Sequence, residues 1–417
     1  MEVDKLRDAT RIFRDALTDM LPSIPVKKAL SGTAIGDDII LIAIGKASWT
    51  MAKAASEELE GRVRRGAIVT KYGHSGGPIP GIEIFEAGHP LPDNNTIKAS
   101  KRILPLTRSL KTAQNVLFLV SGGGSALFEK PVHGLSLRSL TDITSKLLLR
   151  GADINELNTV RKHLSSVKGG KFALHCMPAK IFQITLSDVL GDRLDIIASG
   201  PAAPDPSTSE DAMSVMGKYG IRVPQEIVSA AGSETPKSLE NVSYHIAGNI
   251  TEFCLAAKRA AERLGYLTDI VTDRLEGDAK KVGRSVAGRA LAELARYPSC
   301  SERCLIWGGE TTVRVAGRGM GGRSQELALS AAEQISGVEE ITILSSGSDG
   351  SDGPTDAAGG IVDGLTWEKI RSAGQNPAEM LEDNDSYNAL DTAGALFKTG
   401  PTGTNVNDIV IVLIQNK

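Results

Sequence analysis

Cysteine is scarce in this chain: four residues in 417, at positions 176, 254, 300 and 304. They are too few and too scattered to frame a disulfide scaffold. Cys300 and Cys304 form the one close pair, and without a second pair or a nearby histidine they lend a zinc site no support. The six histidines make no HExxH, so the usual signature of a zinc hydrolase is missing too. No apolar run approaches the roughly 18 residues that span a bilayer. The opening MEVDKLRDATRIFRDAL mixes charges at helical spacing where a secretory signal would carry an apolar stretch. There is no basic excess either: 47 Lys and Arg face 50 Asp and Glu, a formal charge of −3. No whole-protein field therefore draws in nucleic acid or an anionic membrane. These absences describe a soluble, cytoplasmic protein that must meet any anionic ligand with a local site.

What is present is a globular composition, 41% hydrophobic and 23% charged, in a chain longer than one core usually serves. Two domains follow. Short β-branched runs alternate with segments of helical period, the pattern of βα units on a mainly parallel sheet, so the class is α/β. An amphipathic helix over about 4–21 precedes a buried strand IILIAIG that runs into KASWTMAKAASEELE. Strands are expected at AIVT, NVLFLVS and AKIFQITLSD, with helices near 94–110, 136–150 and 153–167. After the loop GPAAPDPSTSED and the polar SETPKSLENVS the alternation restarts, placing a boundary between domains 1–240 and 241–417. The second half offers strands SYHIAG, TDIVT, CLIWGG, TVRVAG, ITILSSG and DIVIVLI, with helices near 250–264, 278–296, 323–335 and 384–396. TTVRVAG follows CLIWGGE so closely that an antiparallel hairpin, and hence a mixed second sheet, is expected.

Ligands of open α/β sheets bind beyond the carboxyl ends of the strands. Those ends deliver Gly45-Lys46, SGGGSAL, Ser187-Asp188, Gly248-Asn249, Gly308-Gly309-Glu310 and SSGSDGSDGPTD. Small residues, hydroxyls, carboxylates and one lysine suit phosphate better than an oily ligand. SGGGSAL can be a tight turn, or its amides can cradle an anion between Ser121 and Ser125. Gly317, Gly319 and Gly322 satisfy G-x-G-x-x-G, but too deep in the chain for a dinucleotide fold. The segment is then a phosphate loop, with Arg318 or Arg323 reaching phosphoryl oxygens, or simply a turn. Asp349, Asp352 and Asp356 crowd one glycine-rich loop, either solvated or shared with Mg²⁺ or a nucleotide. Lys46 at a helix start opposes the helix dipole, which favours an anionic partner over a purely surface role. Asp188 is a turn residue or a general base. Of Arg161, Lys162, Lys168 and Lys171, one or two can face the ligand while the rest serve the helix end or solvent.

Taken in order, GKAS, GHPLPD, SGGGSAL, LNTVRKHLSSVKGGK, SDVLGDRLDIIASGP, GGETTV, GRGMGGRSQELAL, SDGSDGPTDAAGG and GPTGTNVND resemble the glycerate 2-kinases of the MOFRL type over nearly the whole chain. The resemblance implies a Rossmann-like N-terminal domain, a smaller C-terminal α/β domain and an active site between them. It also implies transfer of the ATP γ-phosphoryl group, with Mg²⁺, to a hydroxyl of D-glycerate, giving 2-phosphoglycerate. Lys46, Asp188 and Arg323 would be catalytic, and Asp349 with Asp352 would hold the metal. Ser121, Gly122, Gly123, Ser125 and Arg161 would meet the substrate, and Gly309, Glu310, Thr311, Gly319 and Asp356 the nucleotide. A monomer or homodimer is expected. The rival readings are a hydroxypyruvate reductase, which lacks a well-placed dinucleotide loop, and a small-anion sensor without chemistry.

Overall fold

The computed structural model describes residues 4–222, 224, 227, 232–297 and 302–415, which leaves Cys300 outside the described residues. The chain forms two compact units: Pro22–Ala247, and Met1–Leu21 together with Gly248–Lys417. This division differs in two places from a cut at residue 240. The first helix, Lys5–Asp19, buries Ala9, Ile12, Phe13 and Ala16 and belongs to the C-terminal unit. Phe13 stands edge-on to Phe253 and Phe397, at ring-centroid distances of 5.9 and 5.1 Å. An amphipathic pattern says that a helix has a buried face; it does not say which sheet lies beneath. The second difference is SYHIAG, which joins the first sheet.

In the unit Pro22–Ala247 the strands are β1 (Ile39–Ile44), β2 (Val63–Lys71), β3 (Ile82–Ala87), β4 (Asn115–Val120), β5 (Lys180–Leu186) and β6 (Val242–Gly248). Their order is β3-β2-β1-β4-β5-β6, and β3/β2, β2/β1, β1/β4 and β4/β5 all pair in parallel. IILIAI is buried at every position, and NVLFLV at all but its first, as in a sheet covered on both faces. The sequence does not announce β3: IEIFEA is mostly half-buried and alternates without an apolar run. The expected helices appear as Asn94–Leu106, Leu137–Leu149 and Ile154–Leu164. Asp93 and Asp153 each start theirs with a capping box.

The C-terminal unit holds β7 (Leu267–Leu275), β8 (Arg303–Gly309), β9 (Ile341–Gly347), β10 (Gly359–Asp363), β11 (Leu396–Phe397) and β12 (Asp408–Ile414), in the order β11-β10-β9-β12-β8-β7. β7 and β8 are parallel; β12 is antiparallel to both β8 and β9, and β10 to β9 and β11. The sheet is mixed, as expected, but not through the expected hairpin. TTVRVAG forms only an isolated bridge between Thr312 and Asp278. Both sides of β8 are already taken by β7 and β12, so no lane remains for it. The helix expected over 384–396 shortens to Ser386–Thr392. Gly394, at φ 65°, ends that segment and releases Leu396 and Phe397 to pair with β10. Cys176, Cys254 and Cys304 are buried free thiols.

Candidate active site

In the first sheet the strand order turns back between β1 and β4, which is where an open α/β sheet offers its ligand crevice. The two strand ends there are stitched together. Gly45 has φ 117°, and a Cβ on it would lie 2.2 Å from the Ser121 Oγ, so only glycine fits. The Lys46 N–H donates to the Gly122 carbonyl at 2.8 Å and the Ala47 N–H to the Ser121 Oγ at 3.1 Å. Gly123 takes φ 84°, and a Cβ there would meet Lys46 Cγ at 3.2 Å and His89 Cδ2 at 2.9 Å. The Lys46 side chain therefore runs along the glycine turn with His89 beside it. Lys46 has no carboxylate within ion-pair distance among the described residues. Burial first, and then the neighbouring Lys46, push the His89 imidazole down to about 4, so it is neutral near pH 7.

Below the turn lies a layer of buried charge. Lys168, fully buried, donates to the carbonyls of Ser125 (2.7 Å) and Phe128 (2.9 Å) and stands 3.6 Å from Glu129; desolvation lowers its ammonium to about 8. Arg161 donates to the same Ser125 carbonyl at 3.0 Å. The Ser125 hydroxyl meets Ser199 Oγ at 3.0 Å, and Ser199 donates to Asn158. Lys162 pairs with Asp205 at 3.1 Å and Asp195 at 3.5 Å, while Lys171 donates to the carbonyls of Lys162 and Ser165. Three of the four cations on this segment thus act inside the unit, and Arg161 grips the loop. Asp188 follows β5, half-buried. Val120 is paired with Thr185, so Asp188 emerges at the same sheet edge as Gly122, one strand further from Lys46.

The C-terminal unit gathers its own group. Asp408 lies in one cross-sheet row between Gly309 and Gly347. From the first residue of the helix Arg323–Gln334, Arg323 reaches Asp408 through Nε (2.5 Å) and Nη2 (3.0 Å), and Glu310 through Nη1 (2.5 Å). Burial would lower the Arg323 guanidinium, but the pair with Asp408 outweighs it and holds it above its ordinary value. Burial raises Asp408 to about 6 despite Arg323. Asp349 stands at the same place: a Cβ on Gly347 would be 3.6 Å from its Oδ1 and 3.4 Å from an Asp408 oxygen.

Other expected ligands are engaged elsewhere. Asp352 is buried and accepts from the Ser324 and Gln325 amides at 3.2 and 2.8 Å, so it caps the helix Arg323–Gln334 rather than facing a metal. The amides of residues 316–320 all donate to Asp383, Asn384 or Asp385. The G-x-G-x-x-G segment is thus braced as far as Met320, and Gly319 offers no amide to a phosphate. Asp356 is exposed, bonded to Tyr387 and Lys398. Thr311 is buried and Gly309 is closed against Leu275. Among the five residues expected to meet a nucleotide, Glu310 is the one that joins Arg323.

Residues 8–231 match a family described as a domain of unknown function (DUF4147), and residues 303–408 match the MOFRL family. A D-glycerate 2-kinase of Thermotoga maritima is 52% identical over 97% of each chain. A crystal structure of glycerate kinase from Thermotoga maritima has a TM-score of 0.96 at 51% identity and covers 99% of both chains. An Agrobacterium vitis relative, 39% identical over 97% of this chain and 93% of its own, bears the provisional name hydroxypyruvate reductase. This chain belongs to the MOFRL-type glycerate 2-kinase family.

In this glycerate 2-kinase family member, the group in each unit holds one residue that residue chemistry did not single out. His89 lies in GHPLPD and Asp408 closes GPTGTNVND, both among the blocks that carry the resemblance. Their partners, Gly123 and Arg323, are 34 and 85 positions away, which is why spacing could not join them.

Proposed function

We propose that this chain transfers the γ-phosphoryl group of ATP, with Mg²⁺, to the 2-hydroxyl of D-glycerate in the cytoplasm. The observation that carries the reading is Lys46, set at the β1/β4 switch point against the Gly123 turn without a carboxylate partner among the described residues. A cation so placed is suited to an anionic ligand. The glycine turn lets backbone approach that ligand closely, and Arg161 and Lys168 hold the turn through Ser125. Asp188, at the same sheet edge, would take the proton of the attacking hydroxyl. Arg323 would neutralise phosphoryl oxygens from its seat on Asp408 and Glu310.

No three carboxylate, histidine or cysteine groups gather into a metal cage among the described residues. Mg²⁺ in phosphoryl transfer needs only one or two carboxylates with phosphate oxygens, and Asp349 fits that use. Its Oδ1 accepts from the Ser351 amide and hydroxyl, and its carboxylate adjoins Asp408. Bound Mg²⁺ would supply charge neutralisation on the nucleotide.

The test is incubation of purified protein with D-glycerate, ATP and Mg²⁺, with the product identified by NMR. ADP and 2-phosphoglycerate are expected, with no NAD(P)H oxidation when hydroxypyruvate is offered. Reductase activity without phosphoryl transfer would overturn the proposal.

A further inference from the structure

We propose that His89 is a substrate-binding residue that hydrogen-bonds the reacting hydroxyl of the hydroxy acid, beside Lys46. The assignment rests on the phosphoryl-transfer reading above and deepens it.

Two observations carry the assignment. Its Cδ2 and Nε2 come within 2.9 and 3.0 Å of where a Cβ on Gly123 would stand, on the turn that also carries Lys46 Cγ at 3.2 Å. Moreover, neither ring nitrogen has a hydrogen bond among the described residues. By contrast His74, His163 and His175 each engage a backbone carbonyl, those of Lys46, Thr159 and Leu104. A half-buried polar ring beside the glycine turn, without a partner among the described residues, is fitted to one that arrives with the substrate.

The chemistry selects the hydroxyl. The titratable groups acting on His89 are Lys46, Lys71 and His74, and in their presence and its own partial burial the ring stays neutral. A neutral imidazole carries one N–H and one lone pair. That pair matches a hydroxyl, which both donates and accepts, whereas the carboxylate and phosphoryl oxygens are better met by the lysine charge.

The experiment is calorimetric binding of D-glycerate and of 3-hydroxypropanoate, the same acid without its 2-hydroxyl, to wild type, His89→Ala and His89→Gln. His89→Ala should weaken D-glycerate by ~10-fold or more and leave 3-hydroxypropanoate almost unchanged, because the lost partner is absent from the analogue. His89→Gln, which keeps a donor and an acceptor, should recover part of the loss. Equal weakening of both acids, or of neither, overturns the assignment. Should His89→Ala fail to fold, the glutamine variant decides by the same pair of acids: a loss confined to D-glycerate supports the assignment and an equal loss or no loss overturns it. If wild type binds neither acid, the glycerate reading itself is overturned, a result distinct from wild-type binding that does not depend on His89.

Discussion

Lys46 and Arg323 are both cations near strand ends, yet their surroundings assign them different work. Lys46 stands beside a glycine turn with no carboxylate in ion-pair range among the described residues, whereas Arg323 is fixed by two. Lys46→Ala should cost at least ~100-fold in turnover, about 2.7 kcal/mol, with little change in melting temperature, and Lys46→Arg should restore only part, because charge returns at a shifted position. Steady-state kinetics and a thermal melt check both. Arg323 depends on Asp408, whose carboxyl is raised to about 6, chiefly by burial. Between the unfolded value near 4 and this folded value the native state holds the proton more tightly. This group's stabilising contribution is therefore full below the unfolded value and is lost as pH rises through about 6. Activity runs the other way: protonation below about pH 6 releases one anchor of Arg323, so turnover should fall there. Asp408→Asn should abolish that acid limb in the pH profile. Residue chemistry singled out Lys46 because a cation at a helix start is visible in one dimension, and Arg323, together with Arg318, because both lie in a glycine-rich segment. His89 and Asp408 became legible only through partners far along the chain.

At the scale of elements, acidic and glycine-rich segments illustrate where a motif ceases to predict. SDGSDGPTD reads as three equivalent carboxylates, but the fold gives them three environments. Asp352 is buried on helix amides, Asp349 is half-buried near Asp408, and Asp356 is exposed beside Lys398. Asp352→Ala should cost roughly 2 kcal/mol or more, since it removes a helix cap and leaves buried donors unpaired. A melting temperature lower by about 4 °C or more would register it. Asp349→Asn should leave the melt unchanged and raise the Mg²⁺ concentration needed for half-maximal rate; an unchanged Mg²⁺ requirement would return that carboxylate to solvent. Part of the glycine segment is closed to phosphate for a comparable reason. The amides of residues 316–320 are engaged by Asp383, Asn384 and Asp385, about 65 residues on, and no local pattern reveals that. Strands with a continuous apolar run, such as IILIAI and NVLFLV, and helices begun by an aspartate cap were legible because burial and capping are local. The edge strand β3 and the early end of the helix Ser386–Thr392 were not, because their partners decide them.

At the scale of the whole chain, order in sequence and membership in a core part company. The clusters around β1 and β4 draw their buried residues from before residue 203, while the cluster around β9 and β12 begins at Ala279. Each unit thus has a hydrophobic core of its own, the condition for separate cooperative unfolding. The first helix is then a test of which core it serves. Phe13 is fully buried against Phe253 and Phe397, and its helix is further tied to the C-terminal unit by Tyr266 donating to Asp8 at 3.0 Å and by Arg259 facing Asp19 at 3.4 Å. Phe13→Ala should therefore cost roughly 3–5 kcal/mol, the usual penalty for deleting a buried ring. In the intact chain, hydrogen exchange should locate the loss: amides of the helix Ile250–Arg263 and of β9 and β12 should exchange faster, while those of β1 and β4 keep their protection. If β1 and β4 lose protection equally, the two cores unfold as one and the first helix stabilises the chain as a whole.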